Sequence, residues 1–107
     1  MRVCLLASGS KGNAIFVESA DTRILIDAGL SARELVLRLG AIGVEGDSLD
    51  ALLVTHEHLD HSRGIGPLAR RLGVPVYLTP ETHGALPGLG RIDALEAVSY
   101  THLTLPT

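Results

Sequence analysis

Apolar positions in the first quarter of the chain come in short runs separated by turn residues. Val3-Cys4-Leu5-Leu6-Ala7 reads as a buried strand over residues 2–7, and Ser8-Gly9-Ser10-Lys11-Gly12 as the turn after it. Residues 13–19 are strand-like again. Ala20-Asp21 makes a tight turn, and Thr22-Arg23-Ile24-Leu25-Ile26 forms a third strand that ends at Asp27. Three strands so close together predict an antiparallel meander.

The pattern then changes period. Ser31 and Glu34 have the spacing of a capping box, and the helix they open is expected to bury Leu35, Val36 and Leu39 and to stop at Gly40. A polar loop over 41–50 leads to Ala51-Leu52-Leu53-Val54, wholly apolar, as expected of a strand buried on both faces. Ile65, Leu68, Ala69 and Leu72 fall on one helical face, with Ser62 as the expected N-cap, Pro67 near the first turn and Gly73 at the end. Val74 to Leu78 reads as a further strand, and Thr79-Pro80-Glu81 as the start of a short helix with Pro80 in its first position. The predicted order is βββ–α–β–α–β–α, an α+β layout with helices on one face of a mixed sheet. A sheet covered on one face calls for a second layer.

Composition narrows this little. The 107 residues suffice for one small domain, and 46% hydrophobic with 20% charged residues is ordinary for a globular chain. A net charge of −3 gives no support for a general basic nucleic-acid surface, although a local basic groove remains compatible with it. The single cysteine, Cys4, allows no internal disulfide and no cysteine-based zinc site, and reads as a buried strand thiol. No run approaches the roughly 20 apolar residues of a membrane span, and no secretory leader is recognisable, so a cytoplasmic location is expected.

The candidate chemistry lies just after the apolar strand, in Thr55-His56-Glu57-His58-Leu59-Asp60-His61. In extended backbone, residues two apart project to the same side, so His56, His58 and Asp60 can converge, with His61 following as the chain turns. Three imidazoles and a carboxylate suit Zn²⁺, with Mn²⁺ or Fe²⁺ as alternatives. Four clustered ligands cannot easily fill one tetrahedral shell and also leave a water position open, so two metals are expected, a single-metal site being the alternative. Such a pair lowers the pKa of bound water to about 7 and polarises a scissile carbonyl or phosphoryl group, the chemistry of a hydrolase driven by a dinuclear zinc-activated hydroxide.

At these residues the chain resembles the metallo-β-lactamase superfamily, whose hallmark is His-x-His-x-Asp-His after a short buried strand. The resemblance runs from Met1 to about Pro80. It includes Ser8-Gly-Ser-Lys-Gly-Asn13, Leu25-Ile-Asp27-Ala-Gly29 and Val54-Thr-His-Glu-His-Leu-Asp-His61, and is strongest to the YycJ-like (WalJ-like) branch. That branch comprises bacterial cytoplasmic proteins related to ribonucleases Z and J. The resemblance implies the N-terminal half of an αββα sandwich, His56 and His58 as ligands of a first metal, and Asp60 and His61 as ligands of a second. Asp27 is implied as a carboxylate supporting the metal histidines, and the 8–13 loop with Ser10 and Asn13 as a segment that could approach substrate. Read without the resemblance, Asp27 is a strand-end turn residue, and Ser10 and Asn13 are turn formers. Arg70 and Arg71 read as a solvated helix face, with a phosphate-binding edge as the alternative, and His83 as a surface residue.

Three departures qualify the resemblance. Leu59 stands where the branch commonly has a small polar residue. The family's remaining ligands, a further histidine for each metal and a bridging aspartate, do not occur. Val98 to Thr107 resembles a translated adapter-type tail, which would remove His102 from the ligands; a native strand is the alternative. The expected organisation is thus a partial domain over 1–96 and a non-native tail over 97–107. The function implied is a metal-dependent phosphodiesterase or nuclease, DNA exonuclease-like, acting on nucleic acid or another phosphodiester. A thioester or lactam hydrolase of the same fold, and a metal-binding fragment without turnover, are the alternatives.

Overall fold

A computed structural model describes residues 1–10, 12–55, 62–79, 81–82 and 95–97. The three opening runs form the expected meander: β1 (Arg2–Ala7), β2 (Ala14–Ser19) and β3 (Thr22–Ile26) pair antiparallel in sequence order. The chain then crosses through helix α1 (Ala32–Ala41) and a 3₁₀ turn at Gly46–Ser48 to β4 (Ala51–Leu53), which lies parallel to β3. Helix α2 (Ile65–Leu72) leads to β5 (Val76–Leu78), parallel to β4. A strand that periodicity did not reveal, β6 (Leu95–Ala97), adds in parallel to β5. The sheet order is β1-β2-β3-β4-β5-β6.

The two faces of this mixed sheet differ in kind. Cys4, Phe16, Leu25, Leu52 and Val76 are in register across one face, and the last four are fully buried. They share one core with Leu35 and Leu39 of α1 and Ile65, Leu68 and Ala69 of α2, so both helices cover this face. The other row, Leu5, Ile15, Ile26, Leu53 and Tyr77, is equally apolar, yet Leu5 is 64% exposed and the rest are half-buried. The expectation of a buried first strand is therefore corrected. β1 is an edge strand with Val3 and Leu5 outward, and Cys4 is half-buried instead of buried.

The helix ends also differ from expectation. Ser31 Oγ accepts from Glu34 N–H at 3.2 Å, but the Glu34 carboxylate takes Arg38 Nε at 3.0 Å, so one half of the capping box gives way to an i,i+4 ion pair. α1 runs past Gly40. It ends where Gly43, at φ 78°, lets Val44 N–H reach Leu39 O (2.9 Å) and Gly43 N–H reach Gly40 O (3.0 Å), a Schellman closure. At the start of α2 the N-cap is Gly64, without a side-chain cap, and Ser62 is a buried residue with helical backbone two positions before it. Gly73 closes α2 in the left-handed region, as its position suggested. Thr79 Oγ1 accepts from Thr82 N–H, the N-cap bond of the short helix expected after β5. Among the described residues no helix is long and apolar enough to cross a membrane.

Candidate metal centre

Parallel pairing of β3 and β4 brings their C-terminal ends together, with Ile26 facing Leu53. Asp27 leaves one strand and Val54-Thr55 the other at the same edge of the sheet. The segment carrying the His-x-His-x-Asp-His motif begins at the next residue, His56.

Asp27 is the most constrained residue at that edge. It is 5% exposed and sits at φ 64°, in the left-handed region that costs a non-glycine residue roughly 1–2 kcal/mol. Three hydrogen bonds offset that cost. Its own N–H donates to Leu53 O at 2.7 Å; its Oδ1 accepts from Thr55 N–H at 2.8 Å and its Oδ2 from Thr55 Oγ1 at 2.6 Å. A bond to an ionised acceptor contributes about 1.5–3 kcal/mol, so the Thr55 pair outweighs the backbone strain. Aspartate also tolerates this region better than most residues.

The exit from the motif is pinned one residue further along the same segment. Gly64 N–H donates to Ala28 O at 2.6 Å. A Cβ at Gly64 would collide with the Leu30 carbonyl oxygen and come within 2.8 Å of Leu35 Cδ1, so glycine is required by the approach of two backbones. The anchors for Thr55 and Gly64 are consecutive residues, Asp27 and Ala28. The two flanks of the motif are thereby held by adjoining residues of the supporting chain.

A third segment packs against the same support. A Cβ at Gly12 would meet Leu30 Cδ2 and lie 3.0 Å from Gly29 O, and Gly29 N–H donates to Asn13 O at 2.9 Å. The Asn13 side chain closes its own loop, donating to Gly9 O at 2.9 Å and accepting from Gly9 N–H at 3.2 Å, while Ser10 is exposed. Residues 8–10, 12–13 and 27–31 and the two flanks of the motif therefore gather at one edge of the sheet.

His56, His58, Asp60 and His61 themselves lie outside the described residues, as do His83 and His102. Among the described residues no group of three His, Cys, Asp or Glu side chains is placed to hold a metal. Arg70 and Arg71 are exposed on α2, and Arg70 is engaged in an interaction of its own. Among the described residues, the titratable group that departs from its ordinary behaviour is remote from this edge. The Arg23 side chain, hydrogen-bonded to Glu18 at 2.6 Å, holds that carboxyl below its usual 4.5 against an opposing push from burial, and Arg2 adds to the lowering. Sequence reasoning singled out Asp27 and missed Thr55 and Gly64. Thr55 offered no signal beyond its place before His56, and Gly64 resembled a turn glycine.

A buried, two-toothed carboxylate clasping the entry to a histidine–aspartate motif, on a mixed sheet with helices on one face, defines a class. A model of the metallo-β-lactamase superfamily matches residues 7–104, and the chain belongs to that superfamily. It is 41% identical over 93 residues to the exodeoxyribonuclease WalJ of Streptococcus pneumoniae serotype 2, a match covering 84% of this chain and 35% of that protein. It is 40% identical over 84 residues to the exodeoxyribonuclease YycJ of Bacillus anthracis, covering 77% of this chain and 31% of that protein. Among solved structures, a B3 metallo-β-lactamase with an active-site glutamic acid superposes with a TM-score of 0.75 over 91% of this chain and 42% of its own, at 21% identity, and so shares the fold. The chain spans about a third of the length of the curated relatives it matches.

Proposed function

We propose that the chain carries one wall of a metal-dependent phosphodiesterase centre that acts on nucleic acid. The observation that carries this reading is the bracket at the sheet edge, where Asp27 and Ala28 hold both flanks of the motif. The exodeoxyribonuclease names of the two relatives support the substrate class.

Three imidazoles and a carboxylate make a nitrogen-rich donor set that fits Zn²⁺, with Mn²⁺ or Fe²⁺ as alternatives. His56 and His58 are assigned to one ion, and Asp60 and His61 to a second. When bound, such a pair lowers the pKa of water to about 7 and polarises the phosphoryl group. The chain's own contribution is positional. Asp27 fixes Thr55, the residue that precedes His56 in the sequence, and Asp60 is assigned to orient the attacking water. Hydrolysis adds that water at phosphorus and breaks one P–O ester bond, leaving a phosphomonoester and a free hydroxyl.

A second reading is a metal-binding chain without turnover. Zinc content and hydrolysis of bis-p-nitrophenyl phosphate, measured on these 107 residues beside an intact relative, separate the two. Stoichiometric zinc with turnover supports the first reading; zinc without turnover supports the second. Zinc-free protein defeats both, and preference for a thioester or lactam over the phosphodiester moves the chain to another hydrolase class.

A further inference from the structure

We draw no further inference here: the strongest candidate, the apolar row of Leu5, Ile15, Ile26, Leu53 and Tyr77 on the sheet face away from the two helices, carries nothing because nothing in the structure shows what covers it.

Discussion

The Asp27 carboxylate receives both the backbone N–H and the hydroxyl of Thr55, at 2.8 and 2.6 Å, across the gap between two parallel strand ends. One side chain thus fixes both the main-chain direction and the rotamer of the residue before the metal motif. On the proposed reading, that makes Asp27 a positioning residue for the motif.

Removing either side of this clasp is expected to loosen zinc as well as the fold. Thr55→Val keeps the N–H bond and removes the hydroxyl's hydrogen bond to Oδ2, a cost of about 1–3 kcal/mol. Asp27→Asn keeps an acceptor and tolerance of the left-handed region, yet loses the charge. Zinc affinity is expected to fall about 10- to 100-fold in Asp27→Asn, the scale found when groups supporting metal ligands are changed. Urea denaturation of the apo chain and competition with a zinc chelator measure the two effects separately. Zinc affinity unchanged in Asp27→Asn would show that the clasp serves the fold alone.

Glycines at two places should respond to alanine in opposite senses. At Gly64 the new methyl group meets the Leu30 carbonyl and Leu35, neither of which can yield without moving a core element. Gly64→Ala is therefore expected to destabilise by roughly 1–3 kcal/mol, the cost of overpacking. Gly40 lies inside α1 with nothing near its added Cβ. Gly40→Ala is expected to stabilise by about 0.5–1 kcal/mol through helix propensity. Thermal melting of both variants beside wild type tests the pair, and a Gly64→Ala chain as stable as wild type would remove the case for a bracketed motif.

How much of this could be read from sequence follows from the range of each interaction. The meander, the apolar β4 and the Gly73 stop are set by residues close in the chain, so alternation and turn chemistry revealed them. The motif's place after β4 was equally local. β6 escaped notice because Ala-Leu-Glu-Ala has helical preference and becomes a strand only by pairing with β5. Gly64 and Thr55 act through partners 28 to 36 residues away, and a single sequence carries no mark of that. The burial expected for β1 failed for a similar reason. Its apolar alternation states that a face should be covered, and coverage depends on what packs there.

Stability should depend on pH through Glu18. Its folded pKa lies below 4.5, chiefly because Arg23 donates to it, so the contribution is full above 4.5 and disappears as pH falls through the folded value. Glu18→Gln is expected to lower the urea midpoint at neutral pH and to match wild type in strong acid, where both side chains are uncharged. The effect is expected to be small, because the partners are solvent-screened and the pairs weaken with salt. A gap between the two chains that persists undiminished in acid would assign the difference to packing.

The face of the sheet away from the two helices carries the last expectation. Val3 and Leu5 are 61% and 64% exposed, and they continue in register into half-buried Val17, Ile15, Ile26, Leu53 and Tyr77. A contiguous apolar surface with an exposed rim drives association, and β1 is the terminal strand of the sheet beside it. The 107-residue chain is expected to self-associate as its concentration rises. Val3→Thr with Leu5→Thr keeps strand propensity while making the rim of that face polar, and is expected to shift sedimentation velocity profiles toward monomer. The substitutions remove little from the helix-covered core, whose fully buried row runs through Phe16, Leu25, Leu52 and Val76, so the free energy of unfolding in urea should change by less than about 0.5 kcal/mol. Association unaltered by the double substitution would transfer the cause from the face to the β1 edge, where a proline in β1 at a position whose N–H points outward is the discriminating change.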